Sequence, residues 1–297
     1  MRKNTASALK IPMVNPMIID LKEINEVFLR ELSSDISVYD ESFLIKSIER
    51  RMNETGCSSF RSYISYINEN SHEAAQLIDS LSINFSEFFR NPVTFAFLEQ
   101  TILPQMFEKK KKNNEKEVRI WSAACASGQE AYSLAILCDE LIEYHKYKIT
   151  CRIFATDYNK AVLVEAQKGI YRKETVSRVT LKRINDYFIR QGDNYLLKPE
   201  IKKYIDFSVY DLVNSTESCP PSSIYGNFDL VFCSNILFYY NPEIRSRIIS
   251  IAGSCMEKNG FFITGETERE FLLSHNYSEY MQQSAIFQRN QNWSNKP

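Results

Sequence analysis

Two carboxylates in the second half of the chain stand where nucleotide-like cofactors are commonly bound. Glu130 follows a turn of small residues around Gly128, which comes directly after the apolar run Val118 to Ser122. Asp157 ends the next apolar run, Cys151 to Thr156. A buried strand, a small turn, a helix and a second strand that ends in an acid are typical of a fold that binds a ribose through a carboxylate. We therefore predict a cofactor site at these residues.

The turn between the first strand and the helix limits the kind of cofactor. It has one glycine and no lysine, so neither a phosphate-binding loop nor the triple-glycine dinucleotide pattern is present. A cofactor without a pyrophosphate is favoured, and S-adenosylmethionine fits. Glu130 is predicted to meet its cationic methionine end and Asp157 to accept hydrogen bonds from its ribose. An acid favoured by the helix dipole and an ordinary strand-end acid are the alternative explanation.

The composition excludes several classes of protein. The chain has 297 residues, 44% of them hydrophobic, and a formal net charge of -1. Such a chain can bury a large core, but it lacks the basic field of a general nucleic-acid-binding protein, so no nucleic acid is expected as a partner. Seven cysteines without CxxC spacing and three histidines argue against a metal site and a disulfide framework. Without a signal-like or membrane-spanning apolar run, we expect a cytoplasmic monomer that does not insert into membranes.

The N-terminal part has a helical pattern with short polar breaks. The predicted helices are Met17 to Leu32, Glu41 to Thr55, Ser59 to Asn68 and Glu73 to Leu81. In the second helix the apolar residues share one face, whereas Lys46, Arg50 and Arg51 lie away from it. A solvated helix face is the simplest interpretation of these cations.

A charged run, Glu108 to Glu117, follows Pro104 and is interpreted as a solvated connector. We therefore predict an N-terminal tail over residues 1–16, a helical domain over 17–104 and a second domain over 105–297.

The second domain alternates strand-like and helix-like segments. The predicted strands are Val118 to Ser122, Cys151 to Thr156, Ile205 to Val209, Asp229 to Cys233 and Gly260 to Thr264. The predicted helices are Glu130 to Tyr144, Ala161 to Lys168 and Glu243 to Met256. Such alternation predicts an α/β fold with a mainly parallel, Rossmann-like sheet and a ligand crevice at the carboxyl ends of the strands. A hairpin over Asp186 to Lys198 predicts an inserted antiparallel β-subdomain, at about 172–204.

Four segments together resemble one family, the CheR chemotaxis receptor methyltransferases. These segments are NFSEFFR at 84–90, VRIWSAACASGQEAYS at 118–133, GIYR at 169–172 and VFCSNILFYY at 231–240. The resemblance runs from about Asp20 to Phe287. It implies a helical domain joined to an S-adenosylmethionine-dependent methyltransferase domain with a β-subdomain. It also implies methylation of glutamate side chains on the cytoplasmic helices of chemotaxis receptors, giving methyl esters and S-adenosylhomocysteine.

The resemblance also implies roles for individual residues. The implied cofactor contacts are Asn84, Ser86, Arg90, Glu130, Asp157, Asp211, Leu212, Ser234 and Asn235. Arg90 and Tyr239 are implied to position the reacting groups. Docking of the receptor's acidic helices is implied for Lys46, Arg50 and Arg51.

The chain departs from the family pattern at several positions. Asp211 replaces the more usual asparagine, and Gln129 replaces the first of two acids. Ser234 stands where arginine is common, and Glu266 stands where the family has histidine. The departures at Ser234 and Glu266 bear on the specificity for a receptor substrate more than on the binding of the cofactor.

The chemistry of a glutamate acceptor agrees with the residues that the chain offers. A glutamate is ionised at neutral pH, so its methylation by a sulfonium requires no general base. The sequence shows no obvious histidine–carboxylate pair for that task. Two alternatives stay open: a non-catalytic adaptor that binds S-adenosylmethionine, and a nucleic-acid methyltransferase that stacks a flipped base on the aromatic residues near Asn235.

Overall fold

The structure, a computed structural model, describes residues 16–82, 85–217, 219–223 and 226–290. The chain divides into two compact units, Met1–Ser82 and Ile83–Pro297. The predicted tail, except Pro16, lies outside the described residues, and so does Asn84. None of the described helices is long and apolar enough to cross a membrane.

The first unit consists of helices, as predicted. They are α1 (Pro16–Leu32), α2 (Glu41–Thr55), α3 (Phe60–Glu69) and α4 (Ser71–Leu81). Helix α2 begins after Asp40, whose side chain accepts hydrogen bonds from two backbone N–H groups of the first turn, and it ends at Gly56 in a left-handed conformation (φ 75°). The helices bury an apolar core that includes Phe28, Ile48 and Leu77. The helical periodicity of the sequence therefore located this unit correctly.

Arg51 does not lie on an open basic face, contrary to the prediction. Its Nε and Nη2 atoms bind the two carboxylate oxygens of Glu73 at 2.9 and 2.7 Å, joining α2 to α4. Tyr63 donates a third hydrogen bond to the same carboxylate at 2.7 Å. Burial opposes the charge of Glu73, but the bonds from Arg51 and Tyr63 hold its pKa below the ordinary value. Arg51 is thus a structural cation, and its partner on α4 could not be identified from local sequence pattern.

The second unit contains a seven-stranded sheet, a small three-stranded sheet and eight α-helices in its described residues. The strands are β1 (Glu117–Ala123), β2 (Thr150–Asp157), β3 (Ile170–Arg172), β4 (Phe188–Gln191), β5 (Asn194–Leu197), β6 (Ile205–Val209), β7 (Phe228–Phe232), β8 (Met256–Ile263), β9 (Tyr277–Glu279) and β10 (Ile286–Arg289). The helices are α5 (Pro92–Phe97), α6 (Leu103–Lys112), α7 (Gln129–His145), α8 (Lys160–Lys168), α9 (Leu181–Tyr187), α10 (Pro199–Lys202), α11 (Pro242–Ser254) and α12 (Arg269–Leu273).

The large sheet has the order β6-β2-β1-β7-β8-β10-β9. The first five of these strands are parallel to their neighbours, and β10 is antiparallel to β8 and β9. After β1, the chain builds outward through β2 and β6 and then returns to place β7 on the other side of β1. In such sheets ligands bind where the order reverses, at the carboxyl ends of the strands. The predicted α/β architecture is confirmed, and the strand order reverses between β1 and β7, where a ligand crevice is expected.

The predicted hairpin is present in the small sheet, which has the order β3-β5-β4. Strands β4 and β5 pair antiparallel around a turn in which Gly192 is left-handed (φ 62°). The sheet begins at Ile170, slightly before the predicted start of the insert.

The compact units divide at Ser82, whereas the sequence predicted the boundary at 104. Helices α5 and α6 are joined by a π-helical turn, Leu98–Ile102, and Phe95 and Phe107 belong to the same apolar core as Ile120 of β1. Pro104 lies in the first turn of α6, where proline is tolerated, so it does not end the helical region. The apolar face of this region packs on the sheet and therefore belongs to the second unit.

The lysine run forms the last turn of α6 and not a loop, and Lys109, Lys111 and Lys112 are exposed as predicted. Lys110 is buried, and its Nζ atom lies 2.9 Å from Oδ1 of Asp229 and 2.6 Å from Oε2 of Glu115. The other oxygen of Asp229 accepts the backbone N–H of Arg119 in β1 at 2.9 Å. A buried charge needs such partners, and here they fasten α6 to the start of the sheet.

Candidate functional site

The turn after β1 has an unusual backbone. Ala124 and Ala126 have positive φ angles of 55° and 48°, and Gly128 follows at 88°. A left-handed conformation costs an alanine about 1–2 kcal/mol, and such strain tends to occur at functional sites. A Cβ atom on Gly128 would lie 3.0 Å from Cβ of Ala166, so the turn also requires a glycine at this position. Helix α7 begins directly after this turn, at Gln129.

Asp157 fixes this turn from the end of β2. Its Oδ2 atom accepts the backbone N–H of Ala126 at 3.0 Å, and Oδ1 accepts that of Asn159 at 2.9 Å. The carboxyl group is buried, and burial raises its pKa although the backbone donors favour the charged form. Each carboxylate oxygen can accept a second hydrogen bond, so the group retains capacity for ribose hydroxyls.

Glu130 lies in the first turn of α7, where Oε1 accepts a hydrogen bond from Oγ of Ser122 at 3.2 Å. Burial raises the pKa of Glu130 well above its ordinary range, and the positive charge of Arg90 only partly opposes this shift. The charges of Asp157 and Glu130 both add to the effect of burial in raising the pKa of Cys125. The two predicted cofactor acids are therefore brought close to the same buried thiol, on either side of the turn.

The segment that carries Arg90 is held on the second unit by two phenylalanines. The Phe88 ring is buried between Tyr171 and Phe188, with centroid distances of 4.9 and 5.6 Å. The backbone N–H of Phe89 donates to Oγ of Ser133 in α7 at 3.0 Å. Phe89 is itself left-handed (φ 51°), so the chain turns sharply just before Arg90. These contacts fix the backbone from which the Arg90 side chain extends.

Arg90 is only partly buried. Its guanidinium carbon lies 5.4 Å from the centroid of the exposed Phe85 ring, in a cation–π contact. Ser86 is partly exposed in the same segment, and its contact with a cofactor stays a prediction.

A buried glutamate that the sequence reasoning missed organises the loop after β7. Glu268 has no exposed surface, and its Oε2 atom accepts the backbone N–H of Asn235 at 2.8 Å while Oε1 accepts that of Leu237 at 2.7 Å. Oε2 also accepts hydrogen bonds from Oγ1 of Thr264 and the backbone N–H of Gly265, both at 2.9 Å. The signal available in the sequence was weak: an acid five residues beyond the last parallel strand and three residues after Gly265.

Gly265 permits this arrangement. A Cβ atom there would lie 2.6 Å from Nδ2 of Asn235 and 2.8 Å from Oε2 of Glu268. Asn235 is left-handed (φ 60°), and its Oδ1 atom accepts a hydrogen bond from Oγ of Ser234 at 3.1 Å. The predicted cofactor residues Ser234 and Asn235 thus lie in a loop whose shape depends on residues beyond β8.

Tyr239 ends the short helix that follows this loop, Leu237–Tyr239. Burial raises the pKa of its hydroxyl, the charge of Arg90 lowers it, and the charge of Glu268 raises it. The pKa of Glu130 is likewise lowered by the charge of Arg90 and raised by the charge of Glu268. The structure therefore brings Arg90, Glu130, Tyr239 and Glu268 into one electrostatic cluster.

Asp211 forms the turn after β6. Its Oδ1 atom accepts the backbone N–H groups of Val213 and Asn214, at 2.8 and 3.0 Å, and Oδ2 accepts Nδ2 of Asn214 at 2.9 Å. Leu212 is buried. The carboxylate thus shapes its own turn, and the contact of both residues with an adenosine stays a prediction.

The remaining two predicted docking cations are exposed on the first unit. Lys46 and Arg50 lie on α2, and Nη2 of Arg50 donates to the carbonyl of Ser80 at 3.1 Å. Arg51 is instead paired with Glu73, and receptor docking by Lys46 and Arg50 stays a prediction.

Comparison with known proteins agrees with the geometry. Residues 19–82 match the family model "CheR methyltransferase, all-alpha domain", and residues 84–286 match "CheR methyltransferase, SAM binding domain". A chemotaxis protein methyltransferase of Borreliella burgdorferi is 28% identical over 84% of this chain and 87% of its own length. Chemotaxis protein methyltransferase 1 of Pseudomonas aeruginosa is 28% identical over 86% of this chain and 92% of its own length.

Solved structures are similar at a lower level. Magnesium protoporphyrin IX methyltransferase from Synechocystis, with bound SAM, has a TM-score of 0.31 and 17% identity, covering 72% of this chain and 84% of its own. That likeness is too low to carry an argument. The two family models together cover most of the described residues of both units. The chain belongs to the CheR methyltransferase family, and its second unit is the family's SAM-binding domain.

Proposed function

We propose that this chain transfers the methyl group of S-adenosylmethionine to glutamate side chains on the cytoplasmic domain of chemotaxis receptors, and that it does so in the cytoplasm. Membership of the family makes it a methyltransferase, and the names of its relatives place such methylation in chemotaxis. The glutamate acceptor, the receptor and the cytoplasmic location are our inference for this chain.

The acids around the turn suit the cofactor. Its sulfonium supplies an electrophilic methyl group, and its methionine end carries an ammonium. Glu130 is partly buried, and burial raises its pKa more than the charge of Arg90 lowers it, so its carboxylate would gain by pairing with that ammonium. Asp157 has acceptor capacity for ribose hydroxyls at the end of β2.

The observation that carries the proposal is a cluster with an arginine and a tyrosine and, among the described residues of the second unit, without a histidine. The two histidines of that unit lie elsewhere: His145 is the last residue of α7, and His275 bonds to the carbonyl of Phe271 and to Oγ of Ser246. A carboxylate acceptor requires no proton removal, whereas an amine or hydroxyl acceptor often does.

Arg90 and Tyr239 can orient an incoming carboxylate. The guanidinium offers hydrogen bonds in a planar fork that matches a carboxylate, and the phenol can donate one more. Burial raises the pKa of the Tyr239 hydroxyl, so it stays protonated and able to donate at neutral pH. Alignment of the acceptor oxygen with the methyl group and removal of water from it would then supply the catalysis.

Lys46 and Arg50 are the proposed contacts with acidic receptor helices. Complementary charges raise the rate of encounter and set orientation more than they raise affinity.

The proposal is tested by incubating the protein with S-adenosylmethionine labelled in its methyl group and membranes that contain chemotaxis receptors. We expect label in receptor glutamates with the wild type and at least a tenfold lower rate with Arg90→Met. A protein that binds the cofactor but labels no receptor would identify it as a non-catalytic adaptor instead.

A further inference from the structure

Two cysteines in the second unit contact each other away from the cluster of Arg90, Glu130, Tyr239 and Glu268. The Sγ atoms of Cys219 and Cys255 lie 2.6 Å apart, and the residues are 36 positions apart in the chain. Cys219 lies in the segment between β6 and β7, and Cys255 follows the end of α11. We propose that Cys219 and Cys255 are a site of oxidative modification, at which a peroxide converts the two thiols into a disulfide.

The surrounding backbone leaves room for this pair. Gly226 is left-handed (φ 61°), and a Cβ atom there would lie 2.9 Å from Sγ of Cys219 and 3.1 Å from the carbonyl oxygen of Cys255. The carbonyl of Cys255 accepts the backbone N–H of Phe228 at 2.9 Å, which fixes Cys255 to the start of β7. The missing side chain at 226 therefore lets the Cys219 segment approach a cysteine that is already anchored.

The two thiols differ in access to solvent. Cys219 is partly exposed, whereas Cys255 is buried. Burial, followed by the hydrogen bond with Cys219, raises the pKa of Cys255. Cys219 is thus the thiol that a small oxidant reaches first, and Cys255 is the resolving thiol.

The reaction balances with hydrogen peroxide as the oxidant. The Cys219 thiolate attacks one peroxide oxygen, the O–O bond breaks, and the departing hydroxide takes up the Cys219 proton as water. Sγ of Cys255 then attacks the resulting sulfenic acid; the S–S bond forms, the S–O bond breaks, and the second hydroxide takes up the Cys255 proton. Two electrons from the sulfur pair reduce one peroxide to two waters.

The bond would constrain the segment that follows Asp211. The hydroxyl of Tyr210 donates to the carbonyl of Glu217 at 2.7 Å, two residues before Cys219. A disulfide would close a loop from this segment to the junction of α11 and β8, and loop closure stabilises a folded chain.

The full-length reduced protein is treated with sub-millimolar hydrogen peroxide, quenched, and analysed by non-reducing peptide mapping and thermal unfolding. We expect a linked peptide pair containing Cys219 and Cys255, the loss of two hydrogens in intact mass, and a melting temperature raised by roughly 5–10 °C. Dithiothreitol should reverse all three changes.

Variants separate this site from general oxidation. Cys219→Ser should abolish the linked peptide and the rise in melting temperature, whereas Cys57→Ser, which removes the other partly exposed cysteine, should retain both. Recovery of Cys219 as sulfinic or sulfonic acid without a linked peptide would overturn the proposal. A linked peptide that lowers the melting temperature would also contradict it, because the folded geometry would then oppose the bond.

Discussion

The buried carboxylate of Glu268, which follows β8, accepts a hydrogen bond from the backbone N–H of Asn235, which follows β7. The same carboxylate binds the backbone N–H of Leu237, whose short helix ends at Tyr239. One side chain therefore sets the position of a loop predicted to touch the cofactor and of a tyrosine predicted to touch the acceptor. Hydrogen bonds to a charged acceptor contribute about 1.5–3 kcal/mol each, so this loop is firmly held.

Glu268→Gln keeps the size of the side chain but turns one acceptor oxygen into an NH₂ donor. That group would face the backbone N–H donors that the carboxylate now satisfies. We expect a loss of about 1–3 kcal/mol in the free energy of unfolding and at least a tenfold fall in methyl-transfer rate. Urea unfolding and a receptor methylation assay measure the two effects. Glu270→Gln, an exposed acid nearby, is the control, and equal behaviour of the two variants would refute the role of Glu268.

Asp157→Ala removes an acceptor from the turn after β1 and from the predicted ribose site. Calorimetric titration with S-adenosylhomocysteine should show affinity at least tenfold lower, because the hydroxyls would lose a charged partner. Asp193→Ala, in the β4–β5 turn, should leave affinity unchanged. Retained affinity in Asp157→Ala would remove this residue from the site.

Cofactor affinity should depend on pH through Glu130. Burial raises the pKa of its carboxyl in the free protein, and only the ionised form can pair with the ammonium of the cofactor. Affinity is therefore expected to fall as the pH drops through that raised pKa, by up to about tenfold per pH unit. Titrations from pH 8 downward should show this slope in the wild type and a flatter one in Glu130→Gln. Equal slopes would show that another group titrates.

Arg51 should matter to folding. Arg51→Leu would leave the buried carboxylate of Glu73 without its cation, and breaking a buried pair in this way costs about 3–5 kcal/mol. Chemical unfolding of the first unit's helices, followed by circular dichroism, measures the loss. A change below about 1 kcal/mol would contradict the assigned structural role.

Lys46 and Arg50 should instead matter to the receptor. Lys46→Glu with Arg50→Glu is expected to lower receptor methylation at low salt at least fivefold, and less at high salt, because salt screens charge steering. Calorimetry should find cofactor affinity unchanged. Exposed Lys22 on α1, changed to Glu, serves as a control for added negative charge. Full activity of the double variant would exclude this docking surface.

Local sequence patterns located the strands of the parallel sheet and the long helices, because most of these strands have an apolar core segment and helices such as α2 bury an apolar face. Glu130 and Asp157 were predicted from local pattern alone, since Asp157 ends β2 and Glu130 follows the turn between β1 and α7. Arg90 and Tyr239 required the family resemblance, because nothing local indicates that residues so far apart in the chain share a cluster.

The errors come from partners that are distant in sequence. Arg51 and Lys110 were interpreted as solvated, but Glu73 and Asp229 bind them in the fold. Glu268 was overlooked because two of its four donors, the backbone N–H groups of Asn235 and Leu237, belong to a loop about thirty residues earlier. A charged residue whose partner lies in another helix or strand cannot be distinguished from a surface charge by amino-acid composition or by the periodicity of apolar residues.

The central claim is the transfer of a methyl group to a glutamate carboxylate. The most direct measurement incubates the protein with tritiated S-adenosylmethionine and receptor-containing membranes, washes them, and treats them with alkali. Our account expects label that alkali releases as methanol, as a carboxyl methyl ester requires, and its loss with Asp157→Ala. Label that resists alkali would mean an amine or another acceptor and would contradict the account.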